Sequence, residues 1–297
     1  MKLAAFIMTY ERPEILADTI GKILSQTYPP QEILIVDNSS SDKTQKMCES
    51  LGDDRVTYHK MGYNAGPAGA AYFGLKTLAD KDYDWIFWGD DDDPPSNSNV
   101  FRELVVVAES TENAGIVGGL GGKFIKNRAR TINFCNKELQ GIMDADYVAG
   151  GQMMIVNSSI VRKGILPTQK LFFGFEELDF CLKVKEKGFR IVFDAEKIKK
   201  ARILRGDSHP AYKWKGKSFG KKELVWRQYY SIRNMLYILL SRKLYLAYVG
   251  FFIKSLLKIP FSFKYGNDYG KKVFQVYSKA FRHHLNGRYG YQERNNL

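Results

Sequence analysis

The sequence predicts an α/β protein: a mostly parallel sheet wrapped by helices, followed by a basic, amphipathic helical region. Three observations carry the prediction. Apolar runs of strand length alternate with stretches of helical periodicity from residue 3 to residue 110, the order expected of a parallel sheet with crossover helices. Several of these runs end in small polar or acidic residues, as strands do where an open sheet binds ligands at its carboxyl edge. The charge is also divided, with a net −6 over residues 1–196 and +19 over residues 197–297. The change to apolar, basic helix from Glu223 onward sets the expected boundary between a body, 1–222, and a tail, 223–297.

The first strand is Leu3 to Met8, and Arg12-Pro13-Glu14 opens a helix with proline in its first turn. Ile15, Leu16, Ile20, Ile23 and Leu24 follow at helical spacing, and Tyr28-Pro-Pro30 stops them. Glu32 to Val36 is a second buried strand; Asp37 to Asp42 suits both a turn and the cap of a helix over 42–51. Arg55 to His59 is a third strand. Asn64-Ala-Gly-Pro-Ala-Gly69 is a glycine-bearing loop entering a helix, a place where backbone can approach an anion closely and where an ordinary turn is the plainer alternative.

Trp85 to Trp88 is a fourth strand, apolar enough to be covered on both faces, and it ends in four consecutive carboxylates, Asp90 to Asp93, before two prolines. Four adjacent negative charges repel, so the cluster reads as a solvated turn or as a cation site. Carboxylates at i and i+2 on an extended chain share one hard divalent ion, and Mg²⁺ or Mn²⁺ takes oxygen ligands together with substrate phosphates. The topology gathers Thr9, Asp37, the Asn64 loop and the acidic cluster on one edge.

The second half reads as a helix over 98–110, strands at 114–119 and 123–125, and a glycine-kinked apolar run, Tyr147 to Val156, beside a ligand. Phe172 to Lys183 opens a helix with acids in its first turn, which the helix dipole alone would explain. Arg190 to Phe193 is a further strand, and His209 lies in a loop where a lone histidine is ordinarily structural. In the tail, Leu244 to Ile253 is uncharged and then interrupted by Lys254 and Lys258, too short for a bilayer span. It fits an interfacial segment with snorkelling cations, or a basic helical subdomain packed on the body.

Three cysteines, Cys48, Cys135 and Cys181, at unrelated spacings suit reduced thiols in a cytosolic protein. The short apolar N-terminus, meeting Glu11-Arg12 at once, reads as a strand and not a signal peptide. A hydrophobic content of 44% excludes global disorder. The basic, Tyr-rich tail raises nucleic-acid binding as a rival, but it holds no recognised binding motif and the acidic cluster would repel phosphate unless loaded with metal. A nucleotidyltransferase would carry a Gly-rich basic loop after the first strand, which Thr9 to Pro13 is not.

With these stretches laid out, the chain resembles the family 2 inverting glycosyltransferases, which have a single Rossmann-like, A-type domain. The resemblance runs from residue 3 to about residue 240. It rests on Thr9-Tyr-Glu-Arg-Pro13, Gln26 to Asp42, Asn64-Ala-Gly-Pro-Ala-Gly69, Asp90-Asp91-Asp92, Phe175-Glu-Glu-Leu-Asp-Phe-Cys-Leu-Lys183 and Tyr229-Tyr-Ser-Ile-Arg-Asn234, in the family's order. Its finer features look similar to galactofuranosyl- and rhamnosyltransferases of bacterial cell-surface glycans.

The resemblance implies inverting transfer from a nucleotide sugar, with UDP-galactofuranose favoured and dTDP-rhamnose or another UDP-hexose as alternatives. It implies that Thr9, Glu11, Arg12, Asp37, Asn38, Asn64, Gly66, Asp90 and Asp91 bind the donor. Asp90, Asp92 and His209 would hold the divalent metal, and Gly150, Gly151, Gln152 and Glu176 would border the acceptor. The base falls on Glu177, where the family usually has Asp, so Asp179 or Glu176 stands as an alternative. The implied partners are a glycan or polyprenyl-linked acceptor and an anionic membrane surface, with no nucleic acid. The implied location is cytoplasmic, peripheral on the inner face of the cell membrane.

Overall fold

A computed structural model describes residues 1–151, 153–204, 220–293 and 297. In chain order the elements are β1 (Leu3–Thr9), α1 (Pro13–Leu24), β2 (Ile33–Asp37), α2 (Lys43–Leu51), β3 (Val56–Lys60), α3 (Gly66–Ala79), β4 (Trp85–Asp90) and α4 (Val100–Ser110). There follow β5 (Ala114–Gly118), β6 (Gly121–Ile125), β7 (Arg130–Asn133), β8 (Ile142–Asp144), β9 (Tyr147–Val148), β10 (Met154–Asn157), α5 (Ser158–Arg162), α6 (Glu176–Glu186), β11 (Arg190–Asp194) and α7 (Ala195–Leu204). The chain closes with α8 (Val225–Ser241), α9 (Tyr245–Ser262) and α10 (Asn267–Leu285).

The large sheet has the order β3-β2-β1-β4-β10-β5-β11-β8. β1 pairs in parallel with β2 and β4, β2 with β3, and β5 with β11; β10 and β8 run antiparallel to their neighbours. Register places Thr9 opposite Asp37 and Met8 opposite Asp90, so the polar strand ends share one edge. β1 alternates strictly: Ala4, Phe6 and Met8 enter the core under α3, while Leu3, Ala5 and Ile7 enter the core under α1 and α4. Phe6 meets Trp88 at 5.6 Å between ring centroids, and Phe87 meets Phe101 at 4.5 Å, one contact on each face.

The Tyr147 to Val156 run, expected as one kinked strand, is two strands in two sheets. β9 joins β6 in the small sheet, β10 inserts between β4 and β5, and Gly150-Gly151 lie where the chain crosses.

The helices after residue 223 are fastened to the body. Val225, Tyr229, Tyr230 and Leu236 of α8 form one apolar cluster with Phe172 and with Val273, Tyr277 and Phe281 of α10. Met235 and Leu239 form another with Leu178 and Leu182 of α6. His283 and His284, which offered no signal in the sequence, are buried here: Tyr229 lies 2.7 Å from His283 Nδ1 and Tyr248 lies 3.1 Å from His284 Nε2.

Burial lowers the proton affinity of both histidines, and nearby cations add to it: Lys279, Arg282, Arg288 and Arg233 around His283, Arg233 around His284. Unfolding frees them to take up protons, so their contribution to stability is intact above the unfolded value of about 6.5 and falls on acidification below it. The buried acids Asp90, Glu176 and Glu177 titrate with the opposite sign, so a difference between variants isolates the histidines. Denaturant melts taken at about pH 7.5 and about pH 5.5 should show a larger loss for the native chain than for His283→Gln/His284→Gln. Equal losses would remove the histidines from the acid response.

Candidate active site

At the carboxyl edge, β1, β2 and α3 build one side of a polar cleft. Asp37 is fully buried; it accepts from the Ser39 amide at 2.8 Å and from the Tyr58 hydroxyl at 2.9 Å. Asn38 accepts from the Ala65 amide, and Asn64 from the Gly66 amide, each at 3.0 Å, which seats the start of α3 beside β2. Glu11 turns the other way. Its carboxylate accepts four bonds from the amides and hydroxyls of Ser40 and Ser41, which lower its proton affinity to about 2.

The four aspartates take separate places. Asp91 is buried, accepts from Thr9 at 2.7 Å and pairs with Arg12. Asp92 pairs with the same guanidinium at 2.5 Å. Asp90 instead faces Gly151. A Cβ placed on Gly151 would lie 3.2 Å from the Asp90 carboxylate and 2.9 Å from that of Asp93. The charges of both Asp92 and Asp93 bear on Asp90, and Asp92 is at the same time engaged by Arg12. The strand ends at Asp90, a turn follows at Asp91-Asp92, and Asp93 beyond the turn also reaches Gly151. Asp93 was legible only as one more acid in the run.

On the far side stands the N-terminus of α6. Glu177 accepts from the Gly150 amide at 2.6 Å. A Cβ on Gly150 would lie 2.7 Å from both Glu177 Oε1 and Trp88 Nε1, so only glycine fits between them. Gly151 has φ +87°, and its amide donates to the Trp88 carbonyl at 3.0 Å. Glu176 Oε2 and Trp88 Nε1 are buried without a hydrogen-bond partner among the described residues.

Electrostatically this half of the cleft is overloaded with acid. Burial, then the charge of Glu177, pushes Asp90 up to about 8. Burial likewise raises Glu177, with the charge of Glu176 adding to it, and burial raises Glu176. Buried, mutually repelling carboxylates with an unpartnered oxygen are a donor set that a hard cation would relieve. Among the described residues no group of three or more His, Cys, Asp or Glu is close enough to hold a metal alone. The two carboxylates beside Gly151 match the usual Mg²⁺ pattern of one or two protein carboxylates completed by substrate phosphates.

Asp179 does not join this group. Its carboxylate accepts from Thr168 at 2.6 Å and from Arg242 at 2.8 Å, and Lys183 lies 3.3 Å away, so it ties α6 to the end of α8. Helical spacing explains it, since Asp179 lies two residues beyond Glu177 and points to the opposite side of α6. Gln152 and His209 lie outside the described residues.

The loop before α6 has backbone in an uncommon region: Phe172 and Phe175 have φ of +64° and +67°. Asn234, fully buried on α8, holds it, with Nδ2 at 3.0, 2.9 and 2.8 Å from the carbonyls of Leu171, Phe173 and Gly174. Arg233 adds a bond to the Leu171 carbonyl at 3.0 Å and lies over the Tyr229, Tyr230 and Tyr289 rings.

A mostly parallel sheet, an acidic strand end and a facing acidic helix start define an A-type, nucleotide-sugar-transferase fold. The family model described as Glycosyl transferase family 2 matches residues 4–147, a little under half of the chain. Galactofuranosyltransferase GlfT1 of Mycolicibacterium smegmatis is 27% identical over 108 residues, covering 36% of this chain and 35% of that protein. The GalNAc(5)-diNAcBac-PP-undecaprenol beta-1,3-glucosyltransferase of Campylobacter jejuni is 28% identical over 222 residues, covering 70% of this chain and 66% of the relative. The chain thus spans between about a third and two thirds of these curated relatives. The structure of S. aureus TarS 1–349 in complex with UDP is similar with a TM-score of 0.54 at 13% identity, covering 97% of this chain and 92% of that one.

Proposed function

We propose that this chain is an inverting glycosyltransferase. It moves a hexosyl group from a nucleoside-diphosphate sugar to a hydroxyl of a glycan or polyprenyl-linked glycan, working at the inner face of the cell membrane. The observation that carries the reading is the meeting of Glu177 with Asp90 across Gly150 and Gly151, beside the cleft formed by β1, β2 and α3.

In this reading Thr9, Asp37, Asn38, Asn64 and Gly66 border the nucleotide, and Gly150, Gly151, Gln152 and Glu176 the acceptor. Arg12 and Asp91 brace the strand end through their ion pair, and Glu11 braces the neighbouring turn. Glu177 Oε takes the proton of the acceptor hydroxyl as that oxygen attacks the anomeric carbon from the face opposite the diphosphate. The bond from anomeric carbon to diphosphate oxygen breaks, and the configuration inverts. Burial raises the proton affinity of Glu177, so its carboxylate form is a stronger base toward the acceptor hydroxyl than an ordinary glutamate. Asp90 with Asp92 or Asp93 would hold the divalent cation, Mn²⁺ or Mg²⁺, and His209 is a further candidate. When bound, the cation neutralises charge on the departing diphosphate.

UDP-galactofuranose is the donor proposed first, from the likeness to GlfT1. The longer overlap with a named glucosyltransferase favours a second reading, another UDP-hexose. Thermal unfolding with Mn²⁺ and a panel of UDP, dTDP and GDP sugars tests both. Ligand at about a hundred times its Kd adds about 2.7 kcal/mol to the folded state, which for a chain of this size means a rise of a few degrees. The rise is expected with UDP compounds; a rise with dTDP compounds alone would turn the proposal to rhamnose, and none with any would overturn it.

A further inference from the structure

We infer that α9 is an in-plane membrane anchor whose outward face enters the surface of an anionic phospholipid leaflet. The inference rests on the membrane-facing part of the function proposed above and names the element responsible.

α9 has two apolar faces. The inner one, with Tyr248, Phe251, Phe252 and Ile259, packs on α8 and α10; Phe252 meets Phe281 at 4.6 Å between centroids. The outer one, with Leu246, Val249, Ile253, Leu257 and Phe261, repeats at three and four residues and lies in solvent, Leu246 at 93% and Phe261 at 70% exposure. A contiguous apolar stripe of this kind marks an interaction surface.

Charge selects the occupant. From Leu244 to Asn267 there is no Asp or Glu, while Lys254, Lys258 and Lys264 interrupt the apolar residues, and residues 197–297 carry +19. The Lys126–Arg128 turn packs against α9 and widens the basic rim. Lysine stems can lie along apolar surface while their ammonium groups sit at the level of lipid phosphates.

The helix is long and apolar enough, by length and composition, to cross a bilayer. Its packing argues for lying flat. A span would carry the inner face out of its contacts with Phe281 and His284, and would draw α10, with Lys271, Lys272, Lys279 and Arg282, into hydrocarbon.

The test is flotation of the full chain on vesicles of phosphatidylcholine, with and without phosphatidylglycerol. Native protein is expected to float with the mixed vesicles, and added salt should weaken this without abolishing it. Ile253→Glu/Leu257→Glu, at exposed positions, should lose at least about tenfold in partitioning. It should keep the native melting temperature and the native shift with UDP, so loss of membrane binding is read separately from failure of the enzyme reading. Lys254→Gln/Lys258→Gln should lose the preference for phosphatidylglycerol. Unchanged flotation of the glutamate pair, or no flotation of the native chain, overturns the inference. So does a native dimer in light scattering that the glutamate pair converts to monomer, since the face would then belong to a second copy.

Discussion

Glu177→Gln is expected to slow sugar transfer by about a hundredfold to ten-thousandfold while leaving UDP affinity within a factor of about two, the range that a lost general base accounts for. The substitution keeps the side chain's length and an oxygen able to accept the Gly150 amide, now 2.6 Å away, so the loop beside Asp90 should stay in place. It removes the proton acceptor and one of the charges that raise Asp90. Calorimetry with UDP and a single-turnover transfer assay separate the two effects. A near-native rate would move the base to Glu176, whose Oε2 is buried and unpartnered among the described residues. Asp179 is a poor substitute because Arg242 and Thr168 hold both its oxygens.

The second large effect is expected away from the chemistry. Asn234→Ala removes the amide that donates to the carbonyls of Leu171, Phe173 and Gly174, of which Leu171 keeps its bond from Arg233. With two N–H donors at about 1 kcal/mol for each hydrogen bond, and somewhat more where a carbonyl is left unpaired, the loss should be roughly 2–3 kcal/mol in a urea melt. The same bonds hold Phe172 and Phe175 at positive φ, which costs of order 1–3 kcal/mol at each residue. Without them the loop should relax and Glu177 should lose its position opposite Asp90. Transfer should then fall further than the folded fraction does, measured below the melting temperature. Loss of stability with full specific activity would reduce Asn234 to a purely structural role.

These two residues differ in how legible they were. Glu177 was legible through the resemblance of Phe175 to Lys183 to a family motif, since the acids at that helix start alone are what the helix dipole would favour. Asn234 lay inside a resembling motif, but nothing local says that its amide reaches residues about 60 positions earlier. The acidic run shows the same limit. Its charge density and its place at a strand end were plain from the residues. Which aspartate meets which partner depended on the turn at Asp91-Asp92 and on Arg12, both outside the two-residue period of a strand.

The tail shows it again on a larger scale. Composition drew a boundary at residue 222, yet α8 carries part of the wall behind the acidic helix, and Arg242 anchors Asp179.

By itself the sequence determined the order of strands and helices, the edge at which the polar strand ends gather, and the presence of acids on both sides of a cleft. These follow from patterns with short periods, apolar alternation and turn chemistry, which are written locally. Tertiary structure alone decided that Asp93 joins Asp90 at Gly151 while Arg12 engages Asp92, and that Asp179 ties α6 to the end of α8. It also decided that β10 enters antiparallel between β4 and β5, and that Arg233 and Asn234 of α8 hold the loop before Glu177. Each of those outcomes is set by a contact between residues distant in the chain, where packing and charge pairing choose among arrangements that local patterns leave equal.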